Sequence, residues 1–368
     1  MKATLGHSDI SKGLNLVSKA ISSRNQLPVL NNVLIEAKKN GVTLSATNLE
    51  LGIRTQVGGK VEKIGDLTVP ARNLTEFISS LTGQNIDLEE RESKLIVSSG
   101  KFRASFAGID AKEFPLLPPP VSQGQTINAQ VMGQIAAQVA YAAAVDESRP
   151  VLTGVRFQVL EDKLIVVATD GFRLARKQIP LEPKNQNLVP NGIILPAKTI
   201  QEVARIAADS AEKEIKIEVV EKNNQVIFSC GVTDLISRIL EGNYPDTEKI
   251  IPTDSPVEAI VDRQEFSQSL RAVSVFARDN NNIVRFKITG SRFIISAAAA
   301  QQGESEVEMD CENTGEGEIA FNYKFITDVL SSMTEERIRL QIKDHLSPGV
   351  FRPEKDSSLL ALVMPVRI

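Results

Sequence analysis

Tryptophan is absent from this 368-residue chain, cysteine and histidine occur twice each, and aromatic side chains make up 5% of it. Each shortage excludes something. His7 and His345 are too few for a histidine-based metal centre and have no ligand spacing, so no metal and no cofactor is expected. Cys230 and Cys311 lie in unrelated segments, "IFSCGV" and "EMDCEN", which argues against a disulfide scaffold and fits a reducing compartment. The few aromatics predict aliphatic cores. No stretch approaches the ~18 unbroken apolar residues of a membrane span; the most apolar run, "GQIAAQVAYAAAV" from Gly133, is broken by glutamines. The opening "MKATLGHSDI" has no apolar run behind Lys2, which argues against a secretory signal. The expectation is a soluble, cytoplasmic protein without a membrane partner.

Catalytic signatures are missing as well. G-x-S-x-G does not occur, and "GGK" from Gly58 lacks the upstream glycine of a phosphate-binding loop. Asp170 in "ATDGFR" has no acid or base partner in the sequence, and Asp-Gly is first of all a turn former. No catalytic residue is assigned. Charge is nearly balanced, 42 Lys and Arg against 46 Asp and Glu, for a net −4. The sum alone argues against a nucleic-acid binder, so the distribution matters more.

What the chain does have is repetition. Segments beginning at Leu27 ("LPVLNNVLIEA"), Arg149 ("RPVLTGVRFQV") and Asn280 ("NNNIVRFKITG") read as copies. Val33, Val155 and Val284 align, and Thr47, Thr169 and Ala298 repeat the same two spacings. A period near 120 residues has the size of a domain rather than of a solenoid unit. Each copy carries two helical patterns, at Ser8–Ser22, Arg72–Leu81, Asn128–Ala144, Ala197–Asp209, Asp262–Arg278 and Asn322–Met333. "SDIS" and "VDRQEF" supply N-cap signals, and Pro70, Pro196 and Phe321 stand at equivalent strand-to-helix junctions. Between the helices run alternating segments such as "KLIVSS", "EIKIEVV", "RFIISA" and "IRLQIK", so the fold class is α+β, two helices on layered sheets, three times over. Proline-bearing connectors, Pro115 to Gln125 and Asn243 to Pro256, place the domains at 1–120, 121–252 and 253–368.

In its order and spacing of "LPVLNNVLIEA", "SATNLELGIR", "VPARNL", "EFPLL", "TDGFRLA", "EGNYPD", "AFNYKFITDVL" and the final "LVMPVRI", the whole chain resembles the bacterial sliding clamps, the β subunits of DNA polymerase III holoenzyme. The resemblance implies three clamp domains per chain, a homodimeric ring with helices inside, double-stranded DNA held without regard to sequence, and a polymerase subunit and clamp loader bound through short peptide motifs. The implied size is physically consistent. Helices packed ~10 Å apart leave a hole of ~9 Å when six form the circle and ~28 Å when twelve do. A duplex about 20 Å across threads only the second, so two chains are required.

The helical segments carry slightly more bases than acids, against a negative remainder. Many weak phosphate contacts of this kind suit sliding. The bases expected to face DNA are Lys12, Lys19, Arg72, Lys198, Arg205, Arg271, Arg278 and Lys324, joined through the resemblance by Arg24 and by Arg149 in the loop "DESRP". The resemblance also implies a peptide groove between the second and third domains. Its members would be Leu152 from "PVLTG", then Thr169, Gly171, Phe172, Arg173 and Leu174 from "TDGFRL". Pro245 and Ile250 come from "YPDTEKI", Asn322 and Phe325 from "FNYKF", and Leu362, Met364, Pro365, Val366 and Arg367 from the C-terminal motif. Phe172 departs from the His or Tyr frequent in the family, and Val366 from a frequent Met. The implied dimer edge uses Val275 and Phe276, with Phe106 opposite. The competing reading is a three-domain scaffold that binds only proteins; an enzyme built on scattered carboxylates is a further one.

Overall fold

Six α-helices punctuate an otherwise antiparallel β structure among the described residues: α1 (His7–Val17), α2 (Ala71–Ser79), α3 (Ala129–Gln138), α4 (Ala197–Ser210), α5 (Arg263–Ala277) and α6 (Tyr323–Ser332). The computed structural model describes residues 1–21, 27–121, 124–182, 188–190, 192–278, 280–299 and 303–367. Arg24 lies outside them. Among the described residues no helix is long and apolar enough to cross a membrane.

All six helices begin where a strand ends; α2, α4 and α6 follow Gly65–Pro70, Ile193–Pro196 and Gly317–Asn322. The third junction residue is therefore Asn322, not Phe321. Its side chain accepts from the Lys324 amide at 3.0 Å, doing by a cap what proline does by a fixed φ. This register makes Arg72, Lys198 and Lys324 the second residue of α2, α4 and α6. Asp262 caps α5 as "VDRQEF" suggests, accepting from Glu265 N at 2.7 Å. Ser8 does not cap α1. Gly6 holds that position with extended backbone, because the strand Lys2–Gly6 runs directly into the helix. The long helix expected over 128–144 stops at Gln138. Buried Val139 leaves helical geometry (φ −124, ψ −49), and the Ala144 amide is drawn to the Leu152 carbonyl at 2.8 Å.

The chain forms two compact units, Met1–Ala129 with Arg205–Ile239, and Gln130–Ala204 with Leu240–Ile368. In the first, a five-stranded sheet runs in the order Gly59–Lys63, Lys2–Gly6, Asn85–Arg91, Lys94–Ser99, Phe102–Ala107. An eight-stranded sheet joins four strands from residues 125–238 to four from residues 32–70. The seam is the ladder of Thr233–Arg238 on Leu51–Val57, with Leu235 opposite Ile53. Arg54 and Asp234, both nearly buried, pair at 2.7 Å across that seam, and Arg54 also donates to the Pro118 carbonyl. Removing either partner would strand a charge in a low-dielectric site. Ile10, Leu14 and Val17 of α1 and Leu74 and Ile78 of α2, spaced by three or four, are fully buried. Burial pushes the Cys230 thiol up to about 12, so it stays protonated at neutral pH.

In the second unit a nine-stranded sheet joins Ile193–Pro196, Gly154–Leu160, Lys163–Thr169 and Arg173–Pro180 to Leu359–Val363, Gly349–Pro353, Arg337–Ile342, Val257–Asp262 and Glu312–Asn313. Its seam pairs Leu174 with Leu362 and Arg176 with Leu360. A four-stranded sheet follows the order Gly303–Asp310, Arg292–Ala299, Ile283–Thr289, Gly317–Asn322. The core here is not simply aliphatic. Phe266, Phe286, Phe293, Phe321 and Phe351 meet edge to face at centroid distances of 5.2–5.8 Å. The phenylalanines are concentrated in this one core, where edge-to-face contacts add to simple burial. Val33, Val155 and Val284 each occupy the second residue of a strand and are fully buried, so the repeat in sequence is a repeat of core position.

Candidate partner-peptide cleft and nucleic-acid face

The turn Thr169–Arg173 builds the cleft. Thr169 Oγ1 donates to the Arg173 carbonyl at 2.6 Å and accepts from the Gly171 amide at 3.1 Å. Asp170 Oδ1 accepts from the amides of Phe172 and Arg173 at 2.8 and 2.9 Å. Gly171 sits at φ +91, where a side chain is strained, and a Cβ there would point at the Arg149 guanidinium 3.5 Å away. The first unit makes the same turn with Thr47 and Asn48 in the bonding roles and Leu49 at φ +75. Only the second copy leaves this position without a side chain.

Beside the turn lies a cleft of about 240 Å³, lined by Leu152, Thr169, Gly171, Arg173, Pro245, Ile250, Leu362 and Met364 together with Arg149, Asp246 and Thr247. Arg149, expected on the nucleic-acid side, lines this cleft and donates to the Asp170 carbonyl at 3.2 Å. Leu152 and Leu362 are buried, while Ile250 and Met364 are partly exposed at the rim. The tail beyond the strand Leu359–Val363 is held by backbone bonds: Met364 N donates to the Phe172 carbonyl and Val366 N to the Ala320 carbonyl, both at 2.8 Å. An apolar floor with few polar fixings suits one or two leucine-sized or aromatic anchors, and a flexible methionine wall adjusts to different ones.

Other expected members are placed around the cleft rather than on it. Leu174 is fully buried beneath it, because alternation along its strand turns it into the sheet's core. Phe172, 60% exposed, stacks on Phe325 with centroids 6.4 Å apart. Asn322 is occupied in capping α6. Val366 and Arg367 border a separate, larger cleft of about 730 Å³ with Val257, Arg285, His345 and Leu346, and Pro365 connects the two stretches of tail.

Sequence reasoning missed what holds Arg173. Its guanidinium lies between the rings of Tyr141 and Phe325, 5.5 and 4.9 Å from their centroids, and pairs with Asp170 and Asp328. Burial pushes the Tyr141 hydroxyl up to about 12. The Tyr244 hydroxyl, accepting from the Thr169 amide at 3.1 Å, pins the turn from the connector side. Asp246 and Thr247 lie inside the recognised "YPDTEKI" and Asp328 inside "AFNYKFITDVL", but neither motif says what its acid meets; Tyr141 had no local signal, because it arrives from a distant helical segment.

Of the bases expected to face DNA, Lys12, Lys19, Lys198, Arg271, Arg278 and Lys324 are exposed, and none makes an ion pair among the described residues. Arg72 and Arg205 are exposed but bridge Glu76 and Asp209 on the next helical turn. Exposed i,i+4 pairs are weak, so these guanidiniums remain open to exchange for phosphate. Among the described residues no three His, Cys, Asp or Glu side chains are grouped to hold a metal ion.

Two of the edge strands among the described residues are relevant to the expected dimer contact. Phe102–Ala107 ends the five-stranded sheet and Gly303–Asp310 the four-stranded one. Phe106 packs on Phe77 at 5.8 Å. Val275 is 54% exposed, and Phe276 lies 3.8 Å from where a Cβ on Gly303 would stand.

Family models for the N-terminal, central and C-terminal domains of the DNA polymerase III beta subunit match residues 1–118, 126–246 and 248–367. The beta sliding clamp of Synechocystis sp. is 34% identical over the full length of both chains. That of Staphylococcus aureus is 30% identical over 96% of each. The crystal structure of the DNA polymerase sliding clamp from Bacillus subtilis superposes with a TM-score of 0.93 at 28% identity, covering 100% of this chain and 99% of that one. With all three domain models in order along it and relatives matching from end to end, the chain belongs to the DNA polymerase III beta subunit family, the beta sliding clamps.

Proposed function

We propose that two copies of this chain close into a ring that encircles duplex DNA in the cytoplasm and tethers a replicative polymerase and its loader by short peptide motifs, without catalysing a reaction itself. The observation that carries the ring is the opposite charge of two edge strands, Phe102–Ala107 and Gly303–Asp310. One bears exposed Lys101 and Arg103, the other exposed Glu304, Glu306, Glu308 and Asp310. Opposite charges on two strands with one open edge each favour cross-chain pairing. Two identical joints of this kind close a two-membered ring. The domain limits at 1–120, 121–252 and 253–368 follow the two proline-bearing connectors.

The equivalent positions of Arg72, Lys198 and Lys324 support a sequence-independent DNA face. Replacing any one exposed helical base, Lys198→Ala for example, is expected to change retention on DNA by less than about threefold, since each phosphate contact is one of many. A hundredfold loss measured by gel filtration on circular DNA would mean a specific site instead. The decisive experiment loads the protein on a nicked circle. Retention in ~1 M salt, with release when the circle is cut, supports encirclement. An ordinary phosphate binder is lost as salt rises, and a protein-only scaffold is never retained.

A further inference from the structure

On one face of the nine-stranded sheet, arginines crowd together with too few acids. Arg352 stands directly opposite Arg339 in the ladder of Gly349–Pro353 on Arg337–Ile342. Arg176 pairs with Leu360, and Phe351 with Ala361, so one further step brings Arg352 beside the same Leu360. Directly opposed residues share a face, so Arg176, Arg352 and Arg339 project to the same side. Like charges placed directly opposite are destabilising unless something compensates them.

The surrounding acids do not close the account. Glu248 takes the Arg176 NH1 group with both oxygens at 2.6 and 2.7 Å. Glu258 takes Arg339 at 2.9 Å, and Glu354 and Glu312 take Arg337. Among the described residues no carboxylate reaches Arg352, whose Nε donates only to Gln341 at 3.3 Å. Burial, then the positive charges of Arg176 and Arg339, hold its guanidinium below the usual value. Arg176 Nε is buried and has no hydrogen-bond partner. A buried donor without an acceptor beside a half-buried guanidinium held only by Gln341 favours an added acceptor.

We propose that Arg352, Arg176 and Arg339, none of which lines the peptide cleft, form a binding site for a small multivalent oxyanion of the phosphate type. The planar forks of arginine match tetrahedral oxyanions, and the donors stand on one face of four consecutive strands, with only Leu360 between Arg176 and Arg352, rather than on a loop.

The test titrates inorganic phosphate into the full-length protein at constant ionic strength, with chloride as the balancing anion, and reads heat of binding and thermal stability. Saturable binding that Arg352→Gln weakens about tenfold or more, and that Arg292→Gln leaves unchanged, supports the site. Arg292 is an exposed control paired with Asp310 on the other sheet. Arg352→Lys, which keeps the charge but loses the fork, should fall between the two. The proposal is overturned if no saturable binding is seen, if Arg352→Gln binds phosphate as the parent does, or if that substitution weakens DNA retention and spares phosphate.

Discussion

Val275→Asp together with Phe276→Asp should convert the proposed ring into monomers. Val275 is more than half exposed, and Phe276 sits beside the open strand Gly303–Asp310, where the proposed joint would bury both. Burying each carboxylate costs at least ~2 kcal/mol, so the pair should raise the dimer dissociation constant by on the order of 10³-fold. Sedimentation velocity at micromolar concentration measures this. Phe276 also packs on its own domain's core, so the double variant is expected to lower fold stability as well as dimer affinity. Val275→Asp alone separates the two effects: it should weaken the dimer while leaving the thermal transition in place. A dimer unchanged in both variants would refute this edge.

Deleting residues 364–368 should abolish binding of a polymerase-derived peptide and leave the dimer intact. The deletion removes the Met364 wall and the two backbone bonds that tie the tail to Phe172 and Ala320. Losing the wall and loosening the turn behind it should lower affinity at least ~100-fold, the scale of a central interface anchor. Fluorescence polarisation with a labelled peptide reads the loss. Undiminished affinity would mean that the peptide docks elsewhere, for which the larger cleft around Val257 and Leu346 is the nearest alternative. Because no hydrogen bond among the described residues joins the tail to Phe102–Ala107 or Gly303–Asp310, a simultaneous loss of the dimer would also count against the assignment.

Much of the cleft was legible residue by residue, because its turn is local. Thr169, Asp170 and Gly171 lie next to one another in sequence, and an Asx-type turn needs little beyond that. The equivalent turn at Thr47–Leu51 shows the same logic, with leucine tolerated where the second copy has glycine. The bracket around Arg173 was not legible, since Tyr141 and Asp328 reach it only through packing. Nor was the phenylalanine core, because overall composition says nothing about where fourteen phenylalanines are gathered.

By itself the sequence determined the threefold repeat, the alternating strands, the six helices to within a turn at most ends, and the residues of the Thr169–Arg173 turn. These depend on side-chain period and short-range hydrogen bonds, which neighbouring residues carry. Only the tertiary structure decided that strands 51–57 and 233–238 form one ladder, as do 173–180 and 359–363, so that two sheets run continuously across the domain boundaries read from sequence. Backbone amides and carbonyls make those seams, and every residue carries the same ones, so no local pattern announces which distant strand will pair. The arginine row arises in the same way: Arg176 and Arg352 are far apart along the chain, and the second seam brings them to opposite sides of Leu360.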